Sequence, residues 1–374
     1  MQQVNNIKVI LSGGGTGGHI FPAVAIANAI KEKAPYTDIL FVGAKGRMEM
    51  EKVPAAGYPI EGLWISGLQR RLTVDNLMFP VKVISSLFKA LKIIKSFKPD
   101  VVVGTGGYAS GATLRVASWL GIPTLIQEQN SFPGITNKML APKADLICVA
   151  YEGMENFFPA GKIRLTGNPV RNDIEFNNYS KEDALRHFNL DSAKPTLLVV
   201  GGSLGARTIN HSIHAGLRIL ADCNIQLIWQ TGKHYAIQAA KAVTEYKLNG
   251  IMTMPFIKEM DMAYSAADIV VSRAGAIAIS ELCLTGKPSI LVPSPNVAED
   301  HQTKNALALS MRNAAILIKD SDAAVSLIST ITALATNPGE QKTLGENISS
   351  MAIRNSAKRI ADHVFELALK GKKK

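Results

Sequence analysis

One local pattern, used twice, constrains this chain more than any other feature. The β-branched run Ile7-Lys8-Val9-Ile10-Leu11 ends in Gly13-Gly14-Gly15-Thr16-Gly17-Gly18-His19 and opens into an apolar-periodic helix, Ile20 to Lys33. Further on, Thr196-Leu197-Leu198-Val199-Val200 runs into Gly201-Gly202-Ser203-Leu204-Gly205-Ala206-Arg207 and then a helix over Thr208–Leu220. A strand that ends in glycines and turns into a helix brings backbone N–H groups together at the positive end of the helix dipole. Such a turn can cradle a phosphate or another anion, and it requires a parallel sheet with a crossover helix.

Spacing leaves the first loop ambiguous. Gly13, Gly15 and Gly18 fit G-x-G-x-x-G, but that fingerprint also needs an acid at the end of the second strand to hold a ribose. The second strand, about Ile39 to Val42, ends in Gly43-Ala44-Lys45, with Asp38 before it. The missing acid disfavours a nicotinamide or flavin enzyme. No glycine-rich stretch ends in Gly-Lys-Ser/Thr, so a Walker A loop is excluded.

Strand-like and helix-like runs alternate from end to end, as in parallel sheets covered on both faces. Strands are expected at about Ile7–Leu11, Ile39–Val42, Asp100–Gly104, Thr124–Gln127 and Leu146–Val149. In the second half they are expected at Thr196–Val200, Ile225–Gln230, Met252–Met254 and Asp268–Ser272. With 374 residues, the chain has room for two cores. The reading is an α/β protein of two doubly wound, Rossmann-like domains facing a cleft. Residues 1–167 form the first domain and 168–352 the second, with the polar segment Asn168–Asp173 as linker. The last helix, about 353–374, is expected to return to the first domain. Hinge closure is expected near Asn168–Arg171 and Ser349–Ser356.

The net charge of +11 calls for an anionic partner. Aromatic residues make up only 6% of the chain, too few for base-stacking platforms, so nucleic acid is not expected. Cys148, Cys223 and Cys283 lie too far apart for a zinc spacing or a disulfide framework, which fits a reducing compartment. No signal-peptide pattern and no membrane-spanning apolar stretch is read.

With the motifs assembled, the chain resembles the two-domain nucleotide-sugar glycosyltransferases of the GT-B type, and more narrowly the MurG family. The resemblance rests on Gly13–His19, Gly104-Thr105-Gly106-Gly107-Tyr108-Ala109-Ser110-Gly111, Gln127-Glu128-Gln129-Asn130, Gly167–Arg171, Gly201–Arg207, Arg273–Glu281, and Asp300-His301-Gln302 with Asn305. It implies inverting transfer of N-acetylglucosamine from UDP-GlcNAc to lipid I, giving lipid II, without a metal or other cofactor. Its implied setting is the cytoplasmic face of the inner membrane, beside other proteins of wall synthesis and division.

The departing UDP needs its charge neutralised. The sole Asp-x-Asp, Asp320-Ser321-Asp322, is read as the cap of the following helix rather than a metal site. Two helix N-termini would serve instead, one at Ser203 and its glycine loop, the other at Gly275-Ala276-Ile277. By resemblance, the donor is held by Thr16, Gly17, Gly18, Asn130, Arg171, Ser203, Ile257 (through its backbone, to uracil), Ala276, Ile277, Ala278, Ile279, Ser280, Glu281 (to ribose) and Gln302 (to the sugar). Arg171 is alternatively an ion-pair partner at the hinge. His19, at a helix N-terminus, is the expected base for the acceptor 4-hydroxyl. Glu128 is the rival base, or the group that orients His19. Acceptor contacts are expected from Gly14, Gly15, Gly106, Gly107, Tyr108 and Ser110, although all of these also suit tight strand–helix turns.

On a helical wheel of Leu77–Ser96, Leu77, Val83, Ile84, Leu87, Phe88, Leu91 and Ile94 gather on one side, with Lys82, Ser85, Ser86, Lys89, Lys92 and Ser96 opposite. The expectation is that most of the apolar side covers the sheet beneath a wet lysine face. An exposed end formed by Leu77, Met78, Phe79, Val81 and Trp119, rimmed by Arg70, Arg71 and Lys82, would sit on an anionic membrane surface. The alternatives are another UDP-sugar transferase with a lipid or small-molecule acceptor, a UDP-GlcNAc 2-epimerase, and a non-catalytic nucleotide-sugar- or phospholipid-binding protein.

Overall fold

The computed structural model describes residues 6–67, 78–202, 205–297 and 300–371. The chain divides into two units, Met1–Val170 with Asn355–Lys374, and Arg171–Arg354. Both are parallel α/β sheets covered by helices, the Rossmann-like class read from the sequence.

Among the described residues, the first unit holds seven strands in the order β3-β2-β1-β4-β5-β6-β7. They are β1 (Lys8–Gly13), β2 (Asp38–Ala44), β3 (Ile60–Leu63), β4 (Val101–Gly106), β5 (Thr124–Glu128), β6 (Leu146–Val149) and β7 (Ile163–Leu165). Residues alternate between two buried faces, as a sheet covered on both sides demands. Val9, Leu11, Val101 and Val103 meet Ile26 and Ile30 of α1 (Gly17–Lys33). Ile360 and Val364 of the C-terminal helix Ser356–Gly371 join the same cluster, so the end of the chain completes the first core. Ile10, Val42 and Val102 face the other way, towards α3 (Phe79–Phe97) and α4 (Tyr108–Trp119); α2 (Glu49–Ala55) follows β2.

The second unit holds six described strands in the order β10-β9-β8-β11-β12-β13. These are β8 (Thr196–Val200), β9 (Gln226–Gln230), β10 (Ile251–Met254), β11 (Ile269–Ser272), β12 (Ser289–Leu291) and β13 (Ile316–Leu317). Leu197, Val199 and Trp229 pack against Ile209, Ile213 and Leu217 of the helix Arg207–Asp222. Strands β3, β7, β12 and β13 go beyond the sequence reading. Each has two to four residues, and β3 carries Glu61 and Gly62.

The wheel reading of α3 holds in part: Val83, Leu87, Leu91 and Ile94 pack on the core, and Lys92 and Ser96 are exposed. Against it, Lys82 and Ser86 are buried, whereas Val81, Ile84 and Phe88 are exposed, Phe88 to 70%. Lys82 Nζ donates to Ser66 Oγ at 3.1 Å, and Ser86 Oγ donates to the Trp64 carbonyl at 3.0 Å. Partners after β3 draw these two polar side chains inward, and Val81, Ile84 and Phe88 are left in solvent. Trp119, at the end of the adjacent α4, is 65% exposed, whereas Phe79 is half-buried. Leu77, Arg70 and Arg71 lie outside the described residues.

Candidate active site

In each sheet the strand order reverses once, between β1 and β4 and between β8 and β11. A crevice outside the carboxyl ends of the strands at such a point is where open α/β sheets take ligands. Each glycine loop of the sequence leaves from one of these points.

In the first unit the loop after β1 rests on the loop after β4. A Cβ on Gly13 would lie 1.9 Å from Thr105 Oγ1, and one on Gly107 would lie 2.5 Å from the Gly14 carbonyl oxygen. Gly106 (φ +110°) and Gly107 (φ +88°) also occupy backbone conformations that favour glycine. Thr105 Oγ1 donates to the His19 carbonyl at 2.8 Å, stitching the loops together. These glycines therefore have a local reason to be where they are, apart from any ligand.

His19 stands half-buried in the first turn of α1, which carries no acidic residue of its own. Its Nδ1 lies 3.0 Å from the Gly14 carbonyl oxygen. A carbonyl only accepts, so this contact places the ring proton on Nδ1 and the lone pair on Nε2. The Nε2 edge faces Gly106, where a Cβ would come within 2.9 Å of it. Thr16 is the exposed N-cap of α1 and makes no side-chain cap hydrogen bond; Gly17 is half-buried and Gly18 exposed.

Three expectations in this unit need correction. Glu128 does not orient His19, because the Gly14 carbonyl holds that position. Its buried carboxylate instead accepts from Asn130 N (3.0 Å), Asn130 Nδ2 (3.1 Å), Gly134 N (3.2 Å) and Asn137 Nδ2 (2.8 Å). With both oxygens committed to this loop, Glu128 is a poor base and a good support for half-buried Asn130. Ser110 is fully buried, with its Oγ turned towards Gly104, and offers no surface to an acceptor. The Gly15 N–H is taken by Glu49 Oε2 at 3.0 Å, so it is not open to an acceptor phosphate. Tyr108 is 49% exposed.

In the second unit, Gly202 and Gly205 both have φ +80°, and a Cβ on Gly205 would lie 2.2 Å from the Thr231 carbonyl oxygen. Ser203 lies outside the described residues. The second helix N-terminus is that of Ala276–Thr285, capped by an extended Gly275, again without an acid in its first turn. Ala276, Ile277 and Ala278 line that turn half-buried. Ile279 is a core side chain, so only its backbone is available, and Ser280 Oγ is spent on the Ala276 carbonyl at 3.0 Å.

Glu281 is half-buried and accepts from the Tyr264 hydroxyl at 3.0 Å. Desolvation pushes its pKa up to about 7, partly opposed by the Arg171 guanidinium and the Tyr264 hydrogen bond, while Asp173 adds to the rise. Arg171, which also pairs with Asp173 at 3.4 Å, therefore belongs electrostatically with Glu281. The N–H of Ile257 is already donated to Gln230 Oε1 at 3.2 Å, and Ile257 is buried, so a base could meet only its carbonyl without rearrangement. Gln302 Oε1 accepts from Ser294 N at 2.8 Å.

In the Asp-x-Asp segment, Asp322 holds the N-cap position of the helix Ala323–Ala335, as expected. Its side chain makes no cap hydrogen bond there. Asp320 accepts from Arg273 Nη1 and, at 2.9 Å, from Thr208 Oγ1. One carboxylate thus ties the start of the helix Arg207–Asp222 to the turn after β11. Among the described residues, no group of three or more His, Cys, Asp or Glu could hold a metal ion. Glu49, Gln230 and Tyr264 escaped the sequence reading of the site, because each acts on a residue distant from it along the chain.

Comparison with known proteins agrees with this layout. Residues 9–149 match the glycosyltransferase family 28 N-terminal domain, and residues 196–364 match its C-terminal domain. A Cytophaga hutchinsonii protein named UDP-N-acetylglucosamine–N-acetylmuramyl-(pentapeptide) pyrophosphoryl-undecaprenol N-acetylglucosamine transferase is 56% identical over 98% of both chains. A Flavobacterium psychrophilum protein of the same name is 52% identical, covering 96% of this chain and 97% of its own. The crystal structure of Acinetobacter baumannii MurG superposes with a TM-score of 0.77 at 28% identity, over 96% of this chain and 99% of that one. The chain belongs to the MurG family. Membership makes it a glycosyltransferase, and the resemblance drawn from its motifs holds. A UDP-N-acetylglucosamine 2-epimerase structure, 14% identical with a TM-score of 0.63, shares the fold alone.

Proposed function

We propose that this member of the MurG family transfers N-acetylglucosamine from UDP-GlcNAc to the 4-hydroxyl of MurNAc in undecaprenyl-diphospho-MurNAc-pentapeptide, with inversion. The observation that carries the chemistry is the His19 ring, held through Nδ1 with its Nε2 lone pair free to take a proton. In this reading Nε2 removes the acceptor proton as the oxygen attacks the anomeric carbon, and the bond from that carbon to the UDP oxygen breaks. The charge growing on UDP meets the N-terminal amides of Ala276–Thr285 and of the second glycine loop, which need no metal. Glu281 and the Ile257 carbonyl hold the nucleoside, Gln302 and Asn130 the sugar, and Arg171 favours the ionised form of Glu281.

The acceptor is lipid-linked, and the first unit supplies a surface for it. Val81, Ile84 and Phe88 on α3 and Trp119 on α4 are exposed beside Lys92 and Lys95. Among the described residues no helix is long and apolar enough to cross a membrane. An apolar face with basic neighbours suits peripheral attachment to anionic lipid, and in this reading it does so at the cytoplasmic leaflet. Incubation with UDP-GlcNAc and lipid I, with and without a chelator, tests the assignment. UDP release that requires lipid I and survives chelation supports it; release without lipid I, or release abolished by the chelator, overturns it.

A further inference from the structure

Glu49 is fully buried, yet among the described residues no cation pairs with it. Its oxygens are satisfied by two backbone donors: Ala44 N gives to Oε1 and Gly15 N to Oε2, each at 3.0 Å. A buried carboxylate is costly unless its environment is arranged for it, and here two glycines make the room. A Cβ on Gly14 would lie 2.1 Å from Glu49 Oε1, and one on Gly43 would lie 2.6 Å from Glu49 Cγ.

The Gly15 N–H and the Gly14 C=O belong to one peptide group. In a trans peptide they point in opposite directions. The N–H is held by Glu49 Oε2, and the C=O is the acceptor for His19 Nδ1 at 3.0 Å. The sequence of contacts is carboxylate, peptide, imidazole. Gly15, at φ +83°, gives the backbone the freedom to present this plane edge-on to both groups. General-base histidines are commonly fixed by a carboxylate that accepts directly from Nδ1. In this fold a peptide plane stands between the two.

We propose that Glu49 is the positioning residue for His19, acting through the Gly14–Gly15 peptide. It pins that plane by accepting from its N–H, and it polarises the carbonyl on the far side. Both effects hold the ring in one orientation with the proton on Nδ1 and the lone pair on Nε2. The proposal rests on the assignment of His19 as base.

The test is Glu49→Gln, which keeps the volume but sets an N–H against one of the two backbone donors. Turnover with lipid I should fall at least about tenfold, while the KM for UDP-GlcNAc stays within about twofold, because the donor residues of the second unit are untouched. Long-range proton–nitrogen NMR on histidine-labelled protein, with the His19 signals assigned by their loss in His19→Asn, reads the tautomer directly. The wild type should show a protonated Nδ1, and Glu49→Gln a mixture of tautomers. Unchanged turnover together with an unchanged tautomer overturns the proposal. If Glu49→Gln does not fold, amide exchange in the wild type decides: the Gly15 N–H should be protected although Gly15 is exposed, and rapid exchange overturns the proposal. Near-normal turnover in His19→Ala would remove His19 as base, while the tautomer measurement would still decide what Glu49 does to the ring.

Discussion

Glu281 offers the sharpest quantitative test of the donor site. Its pKa of about 7 in the unliganded protein means that near neutrality half of the molecules carry a protonated carboxyl. A carboxylate that accepts hydrogen bonds from ribose hydroxyls binds best when ionised. Donor affinity must therefore rise with pH through 7, as the site releases its proton. With that midpoint the ionised fraction is about one tenth at pH 6 and about nine tenths at pH 8, so the Kd should tighten about tenfold, or about 1.4 kcal/mol. A glutamate near its ordinary value of 4.5 would give almost no change over the same range.

The assay is calorimetric titration with UDP-GlcNAc across pH 6 to 8. The sugar nucleotide is preferable to UDP because its diphosphate is esterified at both ends and keeps a constant charge in this window. Glu281→Gln should bind weakly and without pH dependence. Tyr264→Phe removes the hydroxyl that stabilises the ionised carboxylate at 3.0 Å, so its transition should move to higher pH; loss of Arg171 should do the same. Folding responds with the opposite sign. Between the ordinary glutamate range and 7 the folded state holds a proton that the unfolded chain has released, so this group makes stability fall as pH rises. A wild-type Kd that is flat from pH 6 to 8 would refute the assignment of Glu281 to the ribose.

His19→Ala, assayed with saturating UDP-GlcNAc, should lose about 10²- to 10⁴-fold in turnover, the usual contribution of a positioned base, with donor affinity preserved; near-normal turnover removes His19 from the chemistry. Ile84→Asp combined with Phe88→Asp should weaken binding to anionic vesicles by about tenfold or more without lowering the unfolding temperature, since both side chains are exposed. Equal sedimentation of wild type and double mutant with vesicles would locate the membrane contact elsewhere. Asp320→Ala leaves the largely buried Arg273 guanidinium without its carboxylate. It should cost towards the lower end of ~3–5 kcal/mol in a denaturant titration and raise the KM for UDP-GlcNAc, whereas a metal-site reading predicts instead that added divalent cation restores activity.

The fold was legible in the sequence because a parallel sheet covered on both faces writes itself as repeated apolar runs between helices. Lys8–Gly13 and Thr196–Val200 could be located from those runs. The edge strands β7 and β13 could not, because Ile163–Leu165 is mostly exposed and Ile316–Leu317 is two residues long. They exist because a neighbouring strand offers them a register, Ile147 to Ile163 and Ile290 to Ile316. The wheel of α3 was legible only in part, for a related reason: Val83, Leu87, Leu91 and Ile94 face the core as read, but so do Lys82 and Ser86. Periodicity separates two faces of a helix but does not say where the edge of the covered face falls. Here Ser66 and Trp64, from the segment after β3, claimed Lys82 and Ser86.

The acid sought at the end of β2 shows the same limit from the other side. No carboxylate follows Ala44 directly to hold a ribose, and that absence correctly turned the reading away from a dinucleotide enzyme. A carboxylate nevertheless arrives at the loop from the first turn of the next helix, and it binds the Ala44 amide at the end of β2 and the Gly15 amide of the loop itself. The first glycine loop is therefore not an empty anion cradle. One of its amides already faces a negative charge, which discourages a phosphate at that point and turns the neighbouring carbonyl towards His19. A glycine at each of two distant positions, Gly14 and Gly43, is the trace this arrangement leaves in the sequence, and it becomes readable only once the fold shows that the same side chain fills both spaces.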